Sequence, residues 1–184
     1  MVNPETKEFL ETWERKLAQA NPGQLDGLFN KFNTLYTIYN RYYNEAFATL
    51  KAAKKIEKPR VSDFERATGI PLKFLGAKEI IDSVANNGDQ ENVDAVCQWI
   101  RLGIFNINLA EGQPVGGMDA QLLANLESVD VEAKAQAILS LIYNIRNNMT
   151  HGYKQFEEDQ RLLVEPVISL LENIIQLFRE KFKE

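Results

Sequence analysis

The chain has 184 residues, 45% of them hydrophobic and 26% charged, with a formal net charge of −5. That length suits one domain with a packed core, and the composition is that of a globular protein. The acidic balance excludes a protein that coats nucleic acid by bulk charge, while leaving room for a local basic cleft that handles a few phosphates. No apolar run approaches the ~18 residues needed to span a bilayer, and no basic start followed by an apolar block marks a secretory signal. One cysteine, Cys97, permits no internal disulfide, and no Cys/His cluster is present for zinc. The expectation is a protein of the reducing cytoplasm, with no membrane contact, no metal and no cofactor.

A first helix is predicted over residues 4 to 20, capped by Asn3 with Pro4 in its first turn. Phe9, Leu10, Trp13 and Leu17 form its apolar stripe. Asn21-Pro22-Gly23 breaks the chain, and a long helix follows from Gln24 to Lys55. Its Phe29, Phe32, Tyr36, Tyr39, Tyr43, Phe47 and Leu50 step by threes and fours. That face admits two roles, a stacking platform for bases or an aromatic seam between helices, and the regular period favours the seam. Lys51, Lys54, Lys55, Lys58 and Arg60 form the strongest basic cluster. They suit a phosphate grip or a solvated helix end whose cations face the negative end of the dipole, and the helix end is favoured.

Residues 59 to 73 read as irregular, with a turn at Thr68-Gly69-Ile70-Pro71. A helix is predicted from Lys73 to Ala85, and Asn86-Asn87-Gly88 ends it. Asp89 is the expected cap of the next helix, residues 90 to 102, where Cys97 falls in the apolar pattern as inert packing. Residues 103 to 118 form a flexible loop, and Ile104 to Leu109 alternate as a short strand without a clear partner. Gly116-Gly117 lacks the Lys-Ser/Thr of a phosphate loop. A short helix spans Asp119 to Glu127. Asp130 caps a helix over 131 to 150, and Asp159 caps a last helix ending near Phe182, with Pro166 as a kink or true start. The apolar face of that last helix is wide enough to suggest burial by the bundle and by a second copy.

Chemistry concentrates between Tyr143 and Gly152. The only histidine, His151, follows Arg146 after four intervening residues. On a helix turning about 100° per residue, Ile138, Leu141, Ile142, Ile145 and Met149 share the core face. Tyr143, Asn147 and His151 step along the opposite side, with Arg146 and Thr150 on the flank between. A histidine off the apolar stripe is either an idle surface group or a proton donor and acceptor. Arg146 and His151 are together the minimal kit for cleaving RNA without a metal. His151 would assist the ribose 2′-hydroxyl or protonate the leaving oxygen, and Arg146 would stabilise phosphoryl charge in the transition state. Asn147 would orient the histidine or bind a phosphate oxygen. One histidine cannot serve as base and acid at once, so two copies across a two-fold axis are expected to share one cleft.

The string Arg146-Asn147-Asn148-Met149-Thr150-His151-Gly152 resembles the Arg-polar-x-x-x-His signature of HEPN domains. With Lys154, and with Asp159 leading into Leu162, Leu163 and Val164, it is similar to the Apea-like branch, in which the motif closes one helix and an apolar helix follows. The match covers residues 130 to 182, a motif-bearing helix pair within a single domain spanning 1 to 184. The resemblance implies an all-α up-and-down helical bundle, here with extra N-terminal helices. It also implies dimerisation, metal-independent endoribonuclease activity, and a place in toxin–antitoxin or other defence systems, with an antitoxin protein as a possible partner. Arg146, His151 and Asn147 are then the catalytic candidates, and Tyr143, Thr150 and Lys154 the substrate contacts. The family also holds members that only bind a nucleotide or a protein, so a non-catalytic binding module is the alternative.

Overall fold

The computed structural model describes residues 2–57, 60–150 and 158–183. These residues form an all-α bundle of eight helices: α1 (Pro4–Leu17), α2 (Leu25–Ala52), α3 (Asp63–Leu75), α4 (Ala77–Asn86), α5 (Gln90–Arg101), α6 (Met118–Leu126), α7 (Val131–Thr150) and α8 (Arg161–Lys181). The only sheet among them is a two-residue hairpin, β1 (Leu109–Ala110) and β2 (Gln113–Pro114). Buried side chains of all eight helices join one hydrophobic cluster. No helix among the described residues is long and apolar enough to cross a membrane.

Local chemistry explains most helix starts. Asn3 Oδ1 accepts the Thr6 N–H at 2.8 Å, and Pro4 opens α1 where a missing N–H costs nothing. Ser62 caps α3 through the Glu65 N–H, and Asp130 caps α7 by accepting from Glu132 and Ala133. α2 ends with the Lys55 N–H on the Leu50 carbonyl and the Lys54 N–H on that of Lys51, with Lys54 at φ 55°. This two-bond ending favours glycine at its left-handed position, as α4 has at Gly88. Lys51, Lys54, Lys55 and Arg60 are exposed around this end, as solvated cations; Lys58 lies outside the described residues.

The aromatic face of α2 is a core seam. Phe29, Phe32, Tyr36, Tyr39 and Tyr43 are buried; Tyr39 meets Tyr36 and Tyr43 edge-on, the latter at 5.2 Å, and Phe32 meets Tyr36 at a tilt. Tyr42, off that stripe, stacks on Phe178 of α8 at 5.5 Å. Phe74 of α3 stacks on the same Phe178 and meets Phe182 at 4.8 Å, so three helices share one aromatic junction.

Helix α3 replaces the turn expected at Thr68-Gly69-Ile70-Pro71, because Pro71 sits inside it. Proline has no N–H for the carbonyl four residues back, which is that of Ala67. The Tyr39 hydroxyl donates to that carbonyl instead, inside the core. Gly76, at φ 101°, then separates α3 from α4, so the helix expected from Lys73 begins at Ala77.

Asp89 is not a cap. Its side chain makes no capping bond and is buried, where it accepts from Ser169 at 2.6 Å, Asn173 at 3.0 Å and Asn92 at 2.7 Å. Asn173 also accepts from Ser83 and Asn87 and donates to the Ser83 carbonyl. This network ties the α4–α5 corner to α8. A tertiary demand for a buried acceptor has overridden the local capping preference.

The loop from 103 to 117 is held rather than loose. Ile104 to Asn108 form no strand; pairing begins at Leu109, around a tight turn with Glu111 at φ 51° and Gly112 at φ 79°. Phe105 and Ile107 are buried, and the N–H groups of Ile107 and Asn108 both donate to Asp119 at the start of α6. Asp159 lies in a 3-10 turn (Glu158–Gln160), one residue too early to cap α8. Pro166 sits within α8, and its unmatched carbonyl belongs to the exposed Leu162. The wide apolar face of α8 is buried by this chain alone, against α2, α3, α4, α5 and α7, so its width calls for no second copy.

Replacing Tyr39 with Phe leaves the Ala67 carbonyl unpaired in the core and is expected to cost about 1–3 kcal/mol in urea unfolding. Carried out together with Pro71→Ala, which restores a helical N–H, the same change should cost about 1 kcal/mol less.

Candidate functional site

Helix α7 presents its predicted site residues on two neighbouring helices. Tyr143 sets its ring edge-on against Phe64 at the start of α3, at 5.3 Å and 82°. Arg146, one turn on, lies over the Tyr36 ring of α2 at 5.4 Å and donates to Asn147 Oδ1 at 3.0 Å. Tyr143, Arg146 and Asn147 are thus brought together at the C-terminal half of α7. His151 and Lys154, and the side chain of Thr150, lie outside the described residues.

Asn148, the second amide of the motif, has a structural task. It is buried and donates to the Ile107 carbonyl at 2.9 Å. Asn144, one turn earlier, donates to Asn108 Oδ1 at 2.9 Å. Two amides one turn apart on α7 therefore hold the 103–117 loop.

Arg146 opens onto a cleft of ≈ 450 Å³ between α1, α2 and α7. Asn33, Thr37, Asn40, Arg41 and Asn44 of α2 line it, with Phe9 of α1. Arg41 rests over Phe9 at 5.5 Å, and its Nε donates to Thr6 at 2.8 Å. Thr6 in turn donates to Glu45, so a carboxylate is one bond removed from Arg41. Beside the cleft, Arg66 of α3 lies over Phe47 at 4.4 Å and donates to Asn44 at 3.1 Å. Each of the three guanidinium groups is thus placed on an aromatic ring, and Arg41 and Arg66 enter no ion pair with the described residues. Arg41 and Arg66, held by rings and by hydroxyl or amide oxygens, keep donors for an anion, and no contact with a described carboxylate cancels their field.

These α2 residues were missed in the sequence, although a signal exists. Asn33, Thr37, Asn40 and Asn44 recur at helical spacing beside the aromatic stripe. Among the described residues no group of three or more His, Cys, Asp or Glu side chains is arranged to hold a metal ion. Cys97 is buried, and burial, then Glu127 and Asp94, push its thiol up to about 11, away from nucleophilic use.

The tyrosines beneath the cleft are held neutral. Burial, then the neighbouring Tyr43, raises the Tyr36 hydroxyl well above its ordinary value, against the lowering field of Arg146. Burial and Asp63 push Tyr43 up to about 12, while Arg146, a hydrogen bond with Tyr36 and Arg66 oppose them. Tyr39 is likewise raised well above its ordinary value, by burial first and then by Tyr36 and Tyr43.

Comparison with protein-family models, with curated proteins and with solved structures finds no match to this chain.

Two outcomes follow from this arrangement. Unfolded tyrosines ionise near pH ~10, whereas Tyr36, Tyr39 and Tyr43 keep their protons to higher pH when folded. The unfolded chain therefore binds fewer protons above about pH 10, and stability should fall as pH rises from about 10 to 12. Urea midpoints across that window should drop, with the tyrosinate absorbance of these side chains emerging together with loss of helix. Asn148→Ala should cost about 1–3 kcal/mol by stranding the Ile107 carbonyl, and half-buried Asn147→Ala about 0.5 kcal/mol or less, read from the same unfolding curves.

Proposed function

We propose that this chain is a metal-independent endoribonuclease of the HEPN type, acting as a homodimer, with Arg146 and His151 of the two copies meeting in one RNA-binding cleft. In this reading the eight helices are an up-and-down HEPN-like bundle with extra N-terminal helices, and α7 and α8 are its motif-bearing pair. A toxin or defence role, with an antitoxin protein as partner, belongs to the same reading.

The observation that carries it is the setting of Arg146. It opens, with Arg41, onto a cleft whose other polar walls are neutral amides and the hydroxyls of Tyr36 and Thr37, in an otherwise acidic protein. A phosphodiester is the ligand such walls favour, since it supplies the negative charge they lack and its oxygens match guanidinium donors. His151 follows Arg146 by five positions in the chain. Arg146 would stabilise charge on the phosphoryl oxygens as the 2′-hydroxyl attacks, while one His151 removes that proton and the partner's imidazole protonates the departing 5′-oxygen.

One observation favours the alternative, a module that binds a nucleotide or a protein without turnover. Both amides after Arg146 are engaged within the chain, Asn147 by Arg146 and Asn148 by the loop.

Purified protein should cut labelled single-stranded RNA or tRNA in excess EDTA, and Arg146→Ala and His151→Ala should each slow cutting by ~100-fold or more. Nucleotide affinity without cutting would select the binding module. Cutting that persists in both variants would rule out the pair as the catalytic groups.

A further inference from the structure

The polar side of α7 leads to a second cleft beyond the Phe64–Tyr143 contact. It has a volume of ≈ 470 Å³ and lies between the first turn of α3, α6 and α7. Phe64, Gln121, Asn125, Gln136, Ser140 and Asn144 supply its recognition groups, and none of its lining side chains is ionisable.

Internal hydrogen bonds leave a definite pattern on these walls. Gln121 donates to Asn125 Oδ1 at 3.0 Å, which leaves Gln121 Oε1 as an acceptor and the Asn125 amide as a donor. Asn144 donates to Asn108, leaving its Oδ1 open, and Gln136 spends its amide on Ser140 at 3.5 Å, leaving its Oε1. No described residue takes up these four groups. Phe64 is 42% exposed although its ring meets that of Tyr143 at a near right angle.

An exposed aromatic ring beside neutral donors and acceptors suits a planar, uncharged heterocycle. A base stacks on the ring and pairs its edge with the amides. A phosphate would meet no cation there, and an apolar chain would strand the amides without partners. Around α7, at about 100° per residue, Tyr143 falls between Arg146 and Asn144. The two clefts therefore flank one wedge, Phe64 against Tyr143.

We propose that this cleft is a nucleobase site, which receives one base of a strand whose phosphate lies at Arg146 across the wedge. It rests on the reading of the Arg146 cleft as a phosphodiester site and adds a residue-specific determinant of which nucleotide is held. Phe64 stacks on the base, and Gln121, Asn125 and Asn144 read its edge.

The test is calorimetric titration of the full chain with adenosine, guanosine, cytidine and uridine, and with their 5′-monophosphates. At least one unphosphorylated nucleoside should bind, with a preference among the four. Phe64→Ala should weaken it by about tenfold or more. Gln121→Ala, on an exposed position of α6, should weaken it several-fold without touching the core. Arg146→Ala should leave the nucleoside affinity intact and bring the monophosphate down to it. No nucleoside binding to the parent chain, or binding indifferent to Gln121→Ala and to Phe64→Ala, would overturn the proposal. If Phe64→Ala does not fold, Gln121→Ala alone decides. Nucleosides carry no phosphate, so their failure leaves RNA cutting in EDTA standing. Loss of cutting with nucleoside binding intact would instead remove only the ribonuclease reading.

Discussion

The hydrogen bond from the Tyr39 hydroxyl to the Ala67 carbonyl is the contact on which the arrangement of this molecule turns. A proline in a helix interior removes a donor and strands a carbonyl, and in a dry core a stranded carbonyl is costly. Here the missing donor comes from another helix, 28 residues earlier in the chain. α3 therefore runs unbroken from Asp63 to Leu75 and packs on both α2 and α7. Phe64, Arg66 and the charge of Asp63 reach the neighbourhood of Arg146 because that helix holds. At its other end, Phe74 reaches the aromatic junction with Phe178 and Phe182.

The placement of cations follows a single pattern. Arg41, Arg66 and Arg146 each lie over a ring contributed by α1 or α2 and hydrogen-bond to hydroxyl or amide oxygens. Carboxylates act on this region at a remove, Glu45 through Thr6 and Asp63 through the tyrosines. An acidic chain can thus line a cleft with guanidinium groups, because charge location rather than net charge sets the local potential.

How much of this was legible in the sequence depends on where each determinant lies. Helices with caps beside them in the chain, such as Asn3 for α1 and Asp130 for α7, were readable to within a few residues, as was the aromatic seam of α2. Thr68-Gly69-Ile70-Pro71 has the local chemistry of a turn, and only a hydroxyl from a distant helix makes it helical. Asp89 has the local chemistry of a cap, yet Ser169 and Asn173, some eighty residues on, claim its carboxylate. At the site, Arg146 stood out by residue type and spacing. Arg41 and the amides of α2 did not, because nothing local shows that α7 will pack where they are. Asn148 looked like part of a catalytic string, and its burial under the loop is visible only in three dimensions.

The Asp89 network also sets a register. Ser169 and Asn173 are one turn apart on α8 and meet the same carboxylate. Sliding α8 by a turn in one direction would bring Glu165 to where Ser169 stands, carboxylate against carboxylate; sliding it the other way would put Leu177 where Asn173 stands and leave the buried acceptor dry. Apolar packing alone tolerates such shifts, since the face of α8 is apolar along most of its length and oily surfaces match one another in many alignments. The polar knot works as a detent on a shaft that could otherwise slip, and the position of everything borne on that shaft inherits its accuracy.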